Sequence, residues 1–347
     1  MKKKIKDLFN LKGKIVVITG GSGFLGSEFA LTLSNIGAIP IVLDKNNNSL
    51  QLLEKKFKKK KLKGLFCLVD LNDEDKVNEA INLIIKKYRK IDCLINAVAF
   101  TGQNMFKTNV NFFEKFEKYN FQLWLRSLNG NLSSIFLVTK SVAKHMMKRE
   151  KGSIVNIASD VGIISPDHRI YEPNKKFNYK GVNFNTPISY SVAKSGIISM
   201  TRYLATYWAK KGIRVNCISP AGVYNKHNKK FVEQLSQRIP IGRMAKSYEL
   251  NGAIIYLCSN ASSFVTGHNL VVDGGRTIWW KIPIKVKSKE WQLAYGLSQK
   301  ICLVSKKDFN EVLNNLCETL LIEGILQRVK KLIQSMKKTK MELQKHR

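Results

Sequence analysis

Residues 14–33 read "KIVVITGGSGFLGSEFALTL": a β-branched run, a cluster of glycines, then a helical pattern. "KIVVIT" has the composition of a strand buried on both faces. Glycines at its end let the backbone turn tightly and come close to a pyrophosphate. The helix that follows offers unpaired N–H groups and the positive end of its dipole to the phosphates. Few folds accommodate a strand, a glycine turn and a helix in this order, and the rest of the chain repeats the theme. "IPIVLD" (39–44), "LFCLVDL" (65–71), "IDCLINAVA" (91–99), "GSIVNIAS" (152–159), "IRVNCISP" (213–220) and "LVVDGG" (270–275) read as further strands. Residues 73–88, about 112–148, and 189–212 read as helices, the last closed by Gly212. The alternation predicts an α/β fold: a doubly wound parallel sheet of Rossmann type with helices on both faces.

At 347 residues and 44% hydrophobic content, the chain is long and apolar enough for one large domain with a proper core. The strand–helix alternation fills residues 1–280, with an unusual stretch at about 160–189. Residues 281–347 lack it. There Phe309, Leu313, Leu316 and Leu320, then Ile325, Val329, Leu332 and Met336 after Gly324, give a basic helical tail. Packing on the body, a subunit interface, a partner and a membrane surface all remain open for this tail.

The net charge is +34, from 59 Lys and Arg against 25 Asp and Glu. The lysines lie in short scattered runs among Asn and Ile, so we read a solvated basic surface rather than a nucleic-acid site. None of the six cysteines forms C-x-x-C, and most lie in apolar runs, the pattern of buried free thiols in a reducing compartment. The five histidines show no ligand spacing, and no metal is expected. The N-terminal "MKKKIKDLFNLKGK" lacks an apolar stretch, and no run is long enough to span a membrane. The expected location is cytoplasmic.

Gly20, Ser22, Gly23, Phe24, Leu25 and Gly26 form the candidate phosphate loop. Asp44 ends the second strand, 24 residues after Gly20. A carboxylate there accepts two hydrogen bonds from an adenosine ribose diol and repels a 2′-phosphate, which favours NAD. Lys45 beside it leaves NADP possible. In "YSVAK", Tyr190 and Lys194 are spaced to share one helix face. Alone, they are either ordinary helix surface or an acid/base pair.

Over about residues 10–280 the chain resembles the short-chain dehydrogenase/reductases. The resemblance lies in the order of "LKGKIVVITGGSGFLG", "VDLND", "LINAVA", "NGNLSSIFLVTK", "GSIVNIAS", "YSVAK", "IRVNCISPAGV" and "SSFVTGHNLVVDGG". It implies a catalytic tetrad of Asn131, Ser159, Tyr190 and Lys194. Asp70 and Leu71 would flank the adenine. Asn96 and Ala97 would line the groove at the end of the fourth strand, and Pro220 to Val223 would border the nicotinamide. Tyr190 would exchange a proton with an alcohol or ketone, its pKa lowered by the Lys194 ammonium and the oxidised nicotinamide. Ser159 would hold the substrate oxygen, and Asn131 would anchor a water leading toward Lys194. The resemblance also implies a homodimer or homotetramer, formed through the helices at about 112–148 and 190–211.

Several residues depart from the family pattern. Phe24 stands where short members more often carry glycine, and Ala99 replaces the glycine of N-N-A-G. Ser159 and Tyr190 lie 31 positions apart, where roughly a dozen is usual. The inserted stretch carries His168, Arg169, Tyr171, Lys175, Lys176 and Lys180. It is expected either to wall the substrate, with its cations meeting a phosphate or carboxylate, or to be a surface insertion outside the pocket. Asn225, His227 and Arg243 in the following substrate loop are either ligand contacts or simply exposed. The insertion, with "TPISYSVAKSG" and "TRYLATYWA", is similar to oxidoreductases of flagellin modification and surface-sugar synthesis. The implied substrate is a small molecule, a sugar or amino-sugar derivative and possibly an anionic one. Rival readings are a nucleotide-sugar epimerase or dehydratase that retains its NAD, and a non-catalytic Rossmann scaffold.

Overall fold

The computed structural model describes residues 5–100, 112–171, 178–179, 182–183 and 185–279. All lie in Met1–Trp280, the first of two units into which the chain divides. The expectations for residues 281–347 and for Lys175, Lys176 and Lys180 fall outside the described residues.

The elements run in chain order α1 (Ile5–Leu8), β1 (Ile15–Thr19), α2 (Phe24–Asn35), β2 (Ile39–Asp44), α3 (Asn47–Lys59), β3 (Leu65–Leu68), α4 (Glu74–Tyr88) and β4 (Cys93–Asn96). Then come α5 (Phe121–Leu128), α6 (Ser134–Met147), β5 (Gly152–Ile157), a short hairpin of β6 (Asn178–Tyr179) and β7 (Val182–Asn183), and α7 (Ile188–Trp208). β8 (Ile213–Pro220), α8 (Lys229–Ser236), α9 (Asn251–Cys258) and β9 (Asn269–Val272) complete the described part. Seven strands form one sheet in the order β3-β2-β1-β4-β5-β8-β9. Every pairing in it is parallel.

The burial pattern explains why the strands read so clearly. Along β1, Ile15 and Val17 face one apolar cluster with α4, α6 and α7, while Val16 and Ile18 face a second with α2, α3 and α9. Both faces are covered, so the strand is apolar throughout rather than alternating. Fully buried side chains such as Phe29, Leu33 and Ile81 each stabilise the fold by about 1.5–3 kcal/mol. The chain moves outward from β1 to β3, then returns to β1's other side with β4 and moves the opposite way. The crevice at the carboxyl ends of β1 and β4, where Thr19 pairs with Asn96, is the switch point at which such sheets bind ligands.

Some elements differ from the sequence expectation. The predicted helix over about 112–148 is interrupted. A 3-10 turn at Phe116–Lys118 precedes α5, whose first turn is capped by the Asn120 side chain accepting from the Leu123 N–H. A π-turn at Asn129–Ser133 then separates α5 from α6. α3, α8 and α9 were not singled out in the sequence. α7 runs through a 3-10 turn to Gly212, which takes the left-handed conformation (φ 66°) that the terminal glycine implied. The described cysteines, Cys67, Cys93, Cys217 and Cys258, are free, and all but Cys67 are buried.

Candidate active site

The glycine loop is shaped by contacts that only hydrogen could make. Gly20 has φ +59°, and a Cβ there would sit 2.6 Å from the Val98 Cα. A Cβ on Gly26 would collide with the carbonyl oxygen of Gly20 and lie 2.6 Å from the Gly21 Cα. This close approach seats α2 directly behind the loop. The N-cap is Gly23, which contributes no side chain, and the first turn contains no acid. The N–H groups at the start of α2 are therefore left for an anion. Phe24 is the first residue of α2 and is 41% exposed, so a side chain fits where glycine is more common.

A groove of about 1120 Å³ runs from this loop across the sheet edge. Gly20, Ser22, Gly23, Phe24, Leu25 and Gly26 line one end, with Asp44, Asp70 and Leu71 beyond them. Ala97, Pro220 and Val223 line its middle, and Ser159, Tyr190 and Lys194 its other end. The structure thus brings most of the expected residues into one cavity. The glycine cradle and the free helix end fit a dinucleotide.

Asp44 is more engaged than expected. Its Oδ2 accepts from the Ser22 N–H (3.1 Å) and hydroxyl (2.7 Å), and its Oδ1 accepts from the Asn46 N–H (3.1 Å). A carboxylate offers about four acceptor sites. One ribose hydroxyl fits on Oδ1, while a second must displace Ser22 Oγ.

The side chains of Asn96, an expected groove residue, and Asn131, an expected tetrad member, are bonded away from the groove. Asn96 is fully buried and does not line the groove. Its amide donates to Thr139 Oγ1 (3.0 Å) and Asn156 Oδ1 (2.8 Å) and accepts from Thr19 Oγ1 (3.3 Å). It ties strands together inside the sheet. Asn131 sits in the π-turn, and its amide grips the backbone after β4. Oδ1 accepts from the Phe100 N–H (3.0 Å), and Nδ2 donates to the Phe100 (3.1 Å) and Ser127 (3.0 Å) carbonyls. The side chain thereby holds the segment that includes Phe100, which lines the groove.

Ser159 follows β5 and caps a 3-10 turn over Asp160–Gly162. Tyr190 and Lys194 come from the first turns of α7. Lys194 is 2% exposed, donates to the Ile157 carbonyl (2.8 Å), and places Nζ 5.5 Å from the centre of the Tyr190 ring. The expected lowering of the Tyr190 pKa is not what this chain alone produces. Burial and the nearby Asp160 carboxylate push Tyr190 up to about 12, against the pull of the Ser159 hydroxyl.

Burial also pushes Lys194 down, to about 8. The folded chain then releases this proton at lower pH than the unfolded chain, so stability rises as pH passes from about 8 toward the ordinary lysine value near 10.5. Lys194→Met is expected to raise stability at pH 7 by roughly 1–2 kcal/mol, the relieved desolvation outweighing the lost bond to Ile157. The gain should shrink as pH approaches 10. Thermal unfolding at several pH values checks this; a gain independent of pH would refute the titration argument.

The insertion contributes a wall, and of its expected cations the two described, His168 and Arg169, do not line the groove. Ile170, Tyr171 and Thr186 line the groove, with the Tyr171 hydroxyl 2.8 Å from Thr186 Oγ1. Arg169 is exposed and bound to Asp167 at 2.8 Å, and His168 faces a separate surface groove. Asn225 and His227 line the cavity, whereas Arg243 pairs with Glu249 and does not line it. Asp167 also accepts from Arg238 at 2.6 Å, and Ile170 packs with Leu235, Ile239 and Met244. These contacts fasten the insertion to the α8 region.

Two lining residues were not anticipated. Asp160 and Arg276, both buried, form an ion pair beside Ser159. Asp160 is a lone charge in the small, apolar motif "IASDVG", and Arg276 follows the glycines of "VVDGGRT". That is a readable signal, because a charge in such a setting needs a partner.

A dinucleotide groove at a sheet switch point that ends on a tyrosine, a serine and a buried lysine defines a class of nicotinamide-dependent oxidoreductases. The family model for enoyl-(acyl carrier protein) reductase matches residues 24–277. The post-translational flagellin modification protein A of Campylobacter coli is 28% identical over 76% of this chain and 98% of its own. A gluconate 5-dehydrogenase structure from Burkholderia cenocepacia, in complex with NADP and tartrate, is 26% identical with a TM-score of 0.66, covering 79% of this chain and 99% of that one. A short-chain dehydrogenase structure from Leptospira borgpetersenii with bound NAD+ is 30% identical with a TM-score of 0.67, covering 80% of this chain and 97% of that one. The chain belongs to the short-chain dehydrogenase/reductase family, and it is an NAD(P)-dependent oxidoreductase. Among the described residues no helix is long and apolar enough to cross a membrane.

Proposed function

We propose that this protein interconverts an alcohol and a ketone on a sugar or amino-sugar derivative in bacterial surface-glycan synthesis, with NAD as the preferred cofactor. The observation that carries this reading is the convergence of Tyr190, Ser159 and buried Lys194 at one end of the groove. The nicotinamide, when bound, supplies the hydride acceptor or donor. Tyr190 Oη moves the proton, Ser159 holds the substrate oxygen, and Lys194 fixes the Tyr190 ring and contributes positive charge beside it. The wall opposite sets Tyr171, Thr186, Asn225 and His227, which offer hydrogen bonds to a hydroxylated substrate, among apolar Ile170, Phe231 and Leu235. The likeness to the flagellin modification protein supports the surface-glycan setting. Aromatic and apolar side chains exposed on α6 and α7, Phe136, Val192, Tyr203 and Tyr207, suit self-association as a homodimer or homotetramer.

Assay of polyols, aldonates, sugar phosphates and nucleotide sugars by reduced-nicotinamide absorbance, with NAD+ and NADP+, tests the proposal. Net NADH release separates it from an epimerase that keeps its cofactor. In the same assay Asp44→Ala should weaken NAD+ use and improve NADP+ use, each on the order of tenfold, because a repelling carboxylate and a ribose partner are both removed. A wild-type preference for NADP+ would overturn the cofactor assignment.

A further inference from the structure

The Asp160–Arg276 pair joins distant parts of the chain. Asp160 follows Ser159 directly, and Arg276 lies just past β9. Asp160 Oδ1 accepts from the Ser159 hydroxyl and from the Val161 N–H, both at 2.8 Å, while Arg276 Nη1 donates to Oδ2. Asp160 is 3% exposed and Arg276 8%, and both line the groove. A buried ion pair is a weak source of stability, since desolvation offsets most of its attraction. Its position suggests another use.

The direction of the hydrogen bonds matters. Ser159 gives its proton to Asp160, so toward Tyr190 beside it this hydroxyl can only accept. A neutral Tyr190 hydroxyl donating to Ser159 would extend this order of donors, which ends on Asp160. That order suits a neutral phenol. A phenolate requires Ser159 to turn its proton back, against the pull of the carboxylate. Asp160 also acts on Tyr190 through its charge, and Arg276 counters that charge.

We propose that Asp160 and Arg276 are a positioning pair: the carboxylate holds the Ser159 hydroxyl and biases Tyr190 toward its proton-donating form, and the guanidinium limits that bias. The proposal rests on Tyr190 being the acid/base group. Among the described residues, the titratable and charged groups facing Tyr190 are Asp160, Tyr171 and Lys194, with Arg276 paired to Asp160 and His227 also lining the cavity. Only the pair is altered by the test.

The ionisation of Tyr190 can be followed as phenolate ultraviolet absorbance of the full-length, NAD+-bound protein, minus that of the same variant also carrying Tyr190→Phe. Asp160→Asn should move the midpoint to lower pH and Arg276→Met to higher pH, each by about one pH unit or more. The double variant, with both charges gone, should return close to wild type. A midpoint in Asp160→Asn that is unchanged or higher overturns the proposal, as does a double variant that follows Arg276→Met. NAD+ affinity measured for each variant shows that the groove is intact. If Arg276→Met does not fold, Asp160→Asn and the double variant still decide. Failure of the acid/base reading shows separately, as turnover that survives Tyr190→Phe.

Discussion

Tyr190→Phe should lower turnover by roughly 10²–10⁴-fold, the range that a positioned proton donor contributes. The substitution keeps the ring, so its packing and its place under Lys194 are preserved. The hydroxyl alone is lost, and the Ser159 proton already has a partner in Asp160 at 2.8 Å. NAD+ affinity should stay within about twofold, because the groove's glycine end and Asp44 are untouched. Thermal stability should change little. The decisive measurement pairs steady-state rates with a cofactor-binding titration. Loss of turnover with retained binding fits a chemical role. Loss of both would mean that Tyr190 shapes the groove, and retained turnover would remove it from the mechanism.

The second large effect is expected at Gly26. Its missing Cβ allows α2 to rest against the Gly20 carbonyl and the Gly21 Cα, the latter at 2.6 Å from where a Cβ would lie. Both neighbours are backbone, so neither can swing away as a flexible side chain would. Gly26→Ala must push α2 off the loop, at a cost of about 1–3 kcal/mol as for other overpacked sites. The displaced N–H groups no longer converge on a pyrophosphate, and NAD+ binding should weaken at least tenfold, about 1.4 kcal/mol. Gly252→Ala is the matched control. Gly252 lies in α9 with nothing within 4 Å of a Cβ, and the change should be neutral or stabilising by up to about 1 kcal/mol. Calorimetric Kd values for both variants test the argument, which fails if Gly26→Ala binds NAD+ as the wild type does.

The sheet was legible because parallel strands buried on both faces leave continuous β-branched runs. The glycine loop was legible because its neighbours were a strand and a helix. Other elements left weaker traces. α3 has only Leu50, Leu53 and Phe57 buried, set among lysines, and a stripe of three is easily passed over. α9 reads "NGAIIYLC", apolar on nearly all sides, so no period separates helix from strand. The break between α5 and α6 depends on a π-turn that lets the Asn131 amide reach Phe100, a contact across 31 residues. Asn96 is legible at a strand end but without a direction, and its side chain turns into the sheet. Asp160 and Arg276 are 116 residues apart; their charges were visible in the sequence, their meeting was not.

The fastening of the insertion to α8 has a practical consequence for altering substrate range. Ile170 shares its apolar cluster with Leu235, Ile239 and Met244, and Asp167 is bound by Arg238. Neither wall of the pocket is an independent part. Grafting the segment from α8 to Met244 from a relative with a short link between serine and tyrosine would take Arg238 from Asp167 and leave Ile170 without its cover. Shortening the insertion would bare Leu235 and Met244 in turn. The two segments are one exchangeable module, and libraries that vary them together should yield folded, active variants more often than libraries that vary either alone.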